Sequence, residues 1–128
     1  MKERPKALIC GMLEEDGKVL FLKREGGIEL PSVFGSLGAD PLSQMTEAFK
    51  KQSGIKAECG DVVIESRYEL EAGLRIPCLV FSMKRLREGE PEPATVYSGF
   101  EWLTMDEARK RKPAPKGTWL KEPMVRIG

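Results

Sequence analysis

The chain has 128 residues, of which 41% are hydrophobic and 32% are charged, a composition typical of one soluble globular domain and not of a disordered segment. Its 21 basic and 20 acidic residues leave a net charge of +1, which disfavours a protein that coats nucleic acid. Histidine is absent, and this excludes histidine-ligated zinc sites, Ser-His triads and imidazole general bases.

Hydropathy and cysteine usage bear on the cellular setting. No apolar run approaches the roughly 20 residues of a membrane span, and no signal-peptide pattern is present, so we expect a cytoplasmic protein with no membrane partner. The three cysteines, Cys10, Cys59 and Cys78, include no Cys-x-x-Cys pair. Because Cys10 and Cys78 lie in apolar, strand-like runs, we expect buried free thiols, with a zinc site or a nucleophilic thiol as the alternative.

The first 38 residues predict two strands and a loop. Residues 6–13 and 18–24 have the pattern of strands, and the acidic turn at 14–17 suits a β-hairpin between them. The glycine-rich stretch 26–38 is predicted to be a loop.

A helix is predicted next. Asp40 has the chemistry of an N-cap, Pro41 suits the first helical position, and Gly54 marks the end. Its apolar face is expected to carry four residues at helical spacing, namely Leu42, Met45, Phe49 and the aliphatic stem of Gln52.

The second half predicts a strand pair, a loop, a third strand and a short helix. The strands are 62–70 and 74–86, joined by a turn at 71–73, and Pro77 should lie at an edge or a bulge because it has no N–H to donate. A polar loop at 87–94 leads to a strand at 98–103, and residues 104–107 form a capping box. The proline- and lysine-rich tail 112–128 carries apolar residues such as Trp119, so it is expected to pack on the domain or on a partner.

The segment 30–55, LPSVFGSLGADPLSQMTEAFKKQSGI, lies between the strand-like VLFLKR and the sequence EWLTMDEA. Together these segments resemble the Nudix family of diphosphate hydrolases, which use a divalent cation. The family's box reads G-x5-E-x7-R-E-U-x-E-E-x-G-U, with U a bulky aliphatic residue, and it usually follows Leu-Pro-Gly-Gly. The resemblance covers about residues 6–111 and implies an α/β (α+β) Nudix fold, with a mixed β-sheet sandwiched between helices. It implies a single domain over 1–128, with a core of about 6–111 and the tail 112–128.

In the register anchored by Leu-Pro, Gly-Ala and Gly-Ile, the box glutamates are replaced. Ala39 stands at the first glutamate, Glu47 at the arginine, Ala48 at the glutamate beside it, and Lys51 and Gln52 at the paired glutamates. The resemblance implies that those glutamates would hold Mg²⁺ or Mn²⁺, which activates the attacking water. A lysine charge about 5 Å from a dication is opposed by roughly 2 to 7 kcal/mol for effective dielectrics of 80 down to 20. We therefore expect no catalytic residue, no bound metal and no cofactor here.

Three hypotheses about function remain. In the first, a non-hydrolytic Nudix-fold protein binds a nucleotide-like or other phosphate-bearing ligand through residues beside the box, and the candidates are Arg24, Glu29, Lys50, Lys51, Arg67 and Arg75. In the second, a divergent hydrolase acts on a nucleoside diphosphate derivative with Mg²⁺ or Mn²⁺, held by relocated carboxylates such as Glu47, Glu101 or the loop 88–92. In the third, the scaffold is a protein-interaction module. A homodimer stays open, and a nucleic-acid partner is disfavoured.

Overall fold

The computed structural model describes residues 4–36 and 38–127 of the chain. Its helices and strands, in chain order, are β1 (Ala7–Met12), β2 (Glu14–Glu15), β3 (Lys18–Arg24), β4 (Gly27–Glu29), β5 (Ser32–Gly35), α1 (Pro41–Ser53), β6 (Ala57–Glu71), β7 (Leu74–Arg85), β8 (Gly99–Leu103), α2 (Met105–Arg109), a 3₁₀ helix (Pro115–Lys121) and β9 (Val125–Arg126). Leu37 in the predicted loop, Gly128 in the predicted tail and residues 1–3 of the predicted domain lie outside the described residues.

The strands form two sheets. The larger has the order β5-β1-β7-β6-β9, and it is mixed because β1 and β7 run parallel while the other neighbours are antiparallel. In the smaller sheet β3 pairs with β2, β4 and β8. This mixed sheet with few helices confirms the predicted α+β fold. In the described part of the chain, no helix combines the length and apolar character required to cross a membrane.

Helix α1 has the predicted ends. Asp40 accepts hydrogen bonds from the Leu42 N–H at 3.3 Å and from the Ser43 hydroxyl at 2.8 Å. At the other end Gly54 has φ +78°, and a Cβ there would lie 2.7 Å from the carbonyl oxygen of Glu92. Only glycine fits this left-handed position against the following loop.

One side of α1 packs on the larger sheet. Met45 and Phe49 are fully buried, and a Cβ on Gly11 of β1 would lie 2.8 Å from the Phe49 ring. The prediction that Leu42 belongs to this face was wrong, because Leu42 is 42% exposed and Ala48 is buried instead. The buried face of the helix is therefore formed by Met45, Ala48 and Phe49 rather than by Leu42.

The tail packs on the face of the larger sheet opposite α1. A second cluster of buried apolar side chains lies there. Trp119 and Leu120 are fully buried there among residues of β1, β3 and β7. A Cβ on Gly117 would lie 2.3 Å from the carbonyl oxygen of Ile28, so the 3₁₀ helix lies directly against β4. Of the two expectations for the tail, packing on the domain is the one observed, and the core continues past residue 111.

Two predictions for the first third of the chain were wrong. Strand β1 does not form a hairpin with β3, because it occupies the interior of the larger sheet between β5 and β7. The hairpin is made by the two residues of β2 instead. The predicted loop 26–38 contains β4 and β5, whose partners are β3 and β1.

The second half of the chain largely matches prediction. Strands β6 and β7 form the expected pair, although β6 begins at Ala57 rather than at residue 62. Pro77 pairs with Arg67 of β6 on one side of β7. On the other side, β1 pairs with β7 only from Cys78 onward, so Pro77 lies at an open edge of the strand, as expected. Thr104 and Glu107 form both hydrogen bonds of the capping box.

The cysteines are free thiols, as expected. Cys10 and Cys78 are buried with their sulfur atoms 3.9 Å apart, and Cys59 is partly exposed. Burial raises the pKa of the Cys10 thiol well above its ordinary value, and the neighbouring Cys78 raises it further. The Cys10 thiol is therefore held in its unreactive protonated form.

Candidate functional site

An open cleft of about 520 Å³ lies beside α1, next to the buried face that carries Met45, Ala48 and Phe49. The helix lines it with Gln44, Glu47, Ala48, Lys51 and Gln52. The opposite walls come from the end of β3, from the loop before β8 and from the 3₁₀ helix. Four of the five replaced box positions therefore do meet in one cleft.

The replaced positions bring little negative charge to this cleft. Ala48 offers a methyl group, and Lys51 offers an exposed ammonium group. Ala39 lies outside the cleft, on the exposed stretch before the helix. Among the described lining residues, Glu47 supplies the only carboxylate, and it is exposed.

Gln52 holds the helix to two other segments. Its amide oxygen accepts the Ser32 N–H at 2.9 Å and the Tyr97 hydroxyl at 3.2 Å, and its amide nitrogen donates to the Ser32 carbonyl at 2.7 Å. The two bonds to Ser32 form a closed amide pair that a carboxylate cannot make, since a carboxylate has no N–H. Gln52 thus ties α1 to β5 and to the loop before β8.

These side chains do not fit a magnesium site. Mg²⁺ prefers six oxygen ligands in octahedral geometry, usually with one or two carboxylates beside the phosphates of a substrate. Here the oxygen of Gln52 is already committed to two donors, and Lys51 repels a dication. Within residues 4–36 and 38–127, no group of three or more Cys, Asp or Glu side chains is arranged to hold a metal ion.

Three cationic side chains from separate segments line the cleft: Arg24 from β3, Lys51 from α1 and Lys116 from the 3₁₀ helix. The Lys116 ammonium nitrogen also lies 5.3 Å from the centroid of the Phe34 ring, in cation–π geometry. Three positive charges thus face one carboxylate, which makes the cleft attractive to anions.

Glu29, a predicted ligand-binding residue, is fully buried behind this wall. One carboxylate oxygen accepts the Lys116 N–H at 3.2 Å, and the other lies 3.9 Å from the Arg24 guanidinium. Burial raises the pKa of Glu29, while the Lys116 N–H and the charges of Arg24 and Lys116 act in the opposite direction. Its carboxylate connects β4 to both cationic walls.

Tyr97 lies between Gln52 and Glu29. Burial raises the pKa of its hydroxyl to about 12, and the negative charge of Glu29 adds to that effect. The hydroxyl therefore stays protonated at neutral pH, where it donates to Gln52.

Besides Glu29, three more of the predicted ligand-binding residues do not line the cleft. Lys50 points into a separate groove beside Leu42 and Leu86, because it follows Glu47 on the outer side of the helix. Arg67 lines a groove on β6 and β7, and Arg75 pairs with Glu122 at 2.9 Å. The alternation of the strands and the turn of the helix direct these three side chains away from the cleft.

The relocated carboxylates considered above are also elsewhere. Glu101 makes a two-bond ion pair with Arg111, at 2.5 and 3.0 Å, and lies 3.9 Å from Lys23. The Arg111 guanidinium lowers the pKa of Glu101. Glu88 and Glu90 line another groove, around Arg85. Glu47 alone of these candidates reaches the cleft.

Among the lining residues that sequence reasoning missed are Tyr97 and Lys116. Neither lies in a motif, and both join the site through contacts with residues far away in the chain. The one available signal was the pair of tryptophan and leucine at 119–120, which indicated that the tail packs and so brings Lys116 inward.

No protein-family model matches the sequence, and no curated protein is similar to it in sequence. Several solved structures share its fold. The MutT protein from Methanosarcina mazei Go1 has a TM-score of 0.72 at 14% identity, over 94% of this chain and 94% of that one. The MutT NUDIX hydrolase from Burkholderia pseudomallei has a TM-score of 0.66 at 18% identity, over 94% and 98% of the two chains. An ADP-ribose pyrophosphatase from Streptococcus suis 89-1591 has a TM-score of 0.64 at 17% identity, over 80% and 76%.

The molecule is therefore an α+β protein whose cleft is built on one capped helix and on three segments that face it. Its fold is the Nudix fold, as the resemblance of residues 30–55 implied. Identities of 14% to 18% establish the fold alone.

Proposed function

We propose that this protein binds a phosphate-bearing, nucleotide-like ligand in the cleft without a metal ion, and that it does not hydrolyse diphosphates. One observation carries the proposal: Arg24, Lys51 and Lys116 surround a cleft in which Glu47 is the lining carboxylate. Guanidinium and ammonium groups are direct partners for phosphate oxygens, so they replace the bridging cation of the metal-dependent mechanism.

The alternatives find less support. A divergent hydrolase would depend on Glu47, since Glu101 is committed to Arg111 and the Gln52 amide to Ser32. An interaction module with a vestigial cleft would be expected to fill that cleft with its own side chains, whereas about 520 Å³ stays open.

The test is calorimetric titration with ADP-ribose, NAD and nucleoside triphosphates, with Mg²⁺ and with a chelator. The fold shared with an ADP-ribose pyrophosphatase makes ADP-ribose the first ligand to try. We expect binding that does not need Mg²⁺. Binding that strictly requires Mg²⁺, or metal-dependent release of phosphate or a mononucleotide that is lost in Glu47→Gln, would support the hydrolase instead.

A matched pair of variants locates the site. Lys51 lines the cleft and its neighbour Lys50 lines another groove, yet both are exposed lysines on the same helix. Lys51→Ala should weaken ligand binding by on the order of 10-fold, because it removes a charged hydrogen bond to the phosphate. Lys50→Ala should change the affinity by less than about twofold. Equal effects of the two changes would contradict a phosphate site in this cleft.

A further inference from the structure

One end of the larger sheet has a face that α1 does not cover. The buried side chains under α1 include Phe81 from the later part of β7. Leu79 and Pro77 lie two and four residues before Phe81, so they project from the same face of β7. An open groove of about 440 Å³ lies over them, between β7, β6 and the segment that leads into β9. Within the described residues, this end of the face has no element packed on it.

The groove has an apolar centre and an apolar rim. Leu79 and Pro77 are half-buried, whereas Val125 of β9 is 64% exposed, more than any other large hydrophobic side chain that the structure describes. Ile127, two residues later and therefore on the same face, is 43% exposed. A continuous apolar surface on a soluble domain marks a place where another molecule binds.

Two opposite charges lie inside this apolar surface. Glu65 pairs with Leu79 and Arg67 pairs with Pro77, so both charged side chains project from the uncovered face, about 7 Å apart along β6. Both are exposed, and within the described residues neither makes a salt bridge. The lining of the groove thus offers one carboxylate and one guanidinium to a binding partner.

This pattern of charges is complementary to itself. In a twofold dimer, the same surface of each copy meets the other copy. When the axis crosses the face at the level of Ser66, residue 65 of each copy lies opposite residue 67 of the other, and each charge meets one of opposite sign. A partner with charges of one sign would instead place a like charge against Glu65 or against Arg67. The pattern therefore favours a second copy of this chain.

We propose that two copies of this chain associate face to face through this groove. Leu79, Pro77 and Val125 form the apolar centre of the interface, and Glu65 of each copy pairs with Arg67 of the partner subunit. Packed sheets lie about 10 Å apart, a separation that side chains of this length span. None of the residues that line the groove lines the cleft beside α1, so each copy keeps its own cleft open.

Sedimentation velocity measures the association, with wild type examined from about 1 to about 200 μM, the range of a weak protein dimer. We expect the mass to rise from 14.3 kDa to twice that value as the concentration increases. Val125→Asp places a charge in the apolar centre and should weaken association by at least about 10-fold. Leu86→Asp is the matched control, because Leu86 is 48% exposed and lines a different groove. It should change association by less than about twofold.

Charge reversal tests the Glu–Arg pairs themselves. Every contact occurs twice in a twofold dimer, so Glu65→Arg alone and Arg67→Glu alone each turn two attractive contacts into repulsive ones. Each should weaken association by at least about 10-fold, whereas the double variant Glu65→Arg/Arg67→Glu should return to within about threefold of wild type. Damage to β6 would not give this recovery, so the double variant also decides the question if Val125→Asp does not fold.

A wild-type chain that stays monomeric over the whole range overturns the inference. A dimer that is unaffected by Val125→Asp and by the single reversals also overturns it, because that dimer would use another surface, such as the open edge of β9. Equal losses for Val125→Asp and Leu86→Asp, or a double variant as weak as the single ones, count against it in the same way. None of these outcomes bears on ligand binding in the cleft, which the calorimetric titration tests separately.

Discussion

The two sides of α1 differ: the core side keeps the packing of an amphipathic helix, whereas the cleft side lacks the carboxylates of the Nudix box. On the core side, Met45 and Phe49 are fully buried against the larger sheet, at the helical spacing expected of an amphipathic helix. On the cleft side, the positions that carry carboxylates in the Nudix box hold Ala48, Lys51 and Gln52. The packing of a helix and the chemistry that it presents are thus separable within 13 residues.

Gln52 lies where the two sides meet. It faces the cleft, yet its amide holds Ser32 and Tyr97 by three hydrogen bonds. The comparison between the two sides therefore predicts how much substitutions lower the stability of the fold. The loss should be largest for a core residue, intermediate for Gln52 and small for exposed positions.

The largest effect is expected for Phe49→Ala. Truncating a fully buried aromatic side chain leaves a cavity beside Gly11 and should lower the free energy of unfolding by about 3–5 kcal/mol. Lys51→Ala, on the exposed side of the same helix, should change it by less than about 0.5 kcal/mol. Urea unfolding followed by circular dichroism measures both. Similar losses for the two variants would mean that the two sides of α1 are not independent.

An intermediate effect is expected for Gln52→Glu, which adds back the side chain found in the box. The introduced carboxylate cannot donate to the Ser32 carbonyl, so the free energy of unfolding should fall by about 1–3 kcal/mol. Gln44→Glu is the matched control, because the Gln44 amide makes one long contact of 3.4 Å, to the Ser36 hydroxyl. A Gln52→Glu variant as stable as wild type would show that the amide pair contributes nothing to the fold.

The smallest effect concerns Asp40 and is seen as a pH dependence. Hydrogen bonds from the Ser43 hydroxyl and then from the Leu42 N–H hold the pKa of Asp40 below its ordinary value of 3.8. A carboxyl with a lowered folded-state pKa stabilises the protein when ionised, so its contribution is complete above about 3.8 and disappears as the pH falls through the lowered pKa. Asp40→Asn keeps a capping acceptor that does not titrate.

On acidification from about pH 5 to about pH 2, the melting temperature of wild type should therefore fall by more than that of Asp40→Asn. A difference that is independent of pH would contradict this account of the N-cap.

Local rules accounted for the elements that depend on neighbouring residues. The ends of α1 follow from Asp40, Pro41 and Gly54, and the capping box of α2 follows from Thr104 and Glu107. These signals act within a few residues, so the sequence displays them directly.

The elements that were missed depend on distant partners. Strand β5 has four residues and one glycine, and it forms because β1 offers an edge. Likewise Lys50 and Lys51 look alike in the sequence, and only the rotation of α1 on its sheet assigns one of them to the cleft. Lys116 reaches the site through Glu29, 87 positions earlier in the chain, and no local pattern reports such a contact.

That last contact has a consequence for how the molecule assembles. Closing a loop of this length is entropically unfavourable until other contacts have formed, so long-range pairings of this kind are slow to appear. A nascent chain can complete α1 and the β6–β7 hairpin well before the segment that carries Lys116 and Trp119 is synthesised. The wall that brings the third cation to the cleft is thus added last, and a partly made chain has the helix side of the cleft without Lys116 opposite it.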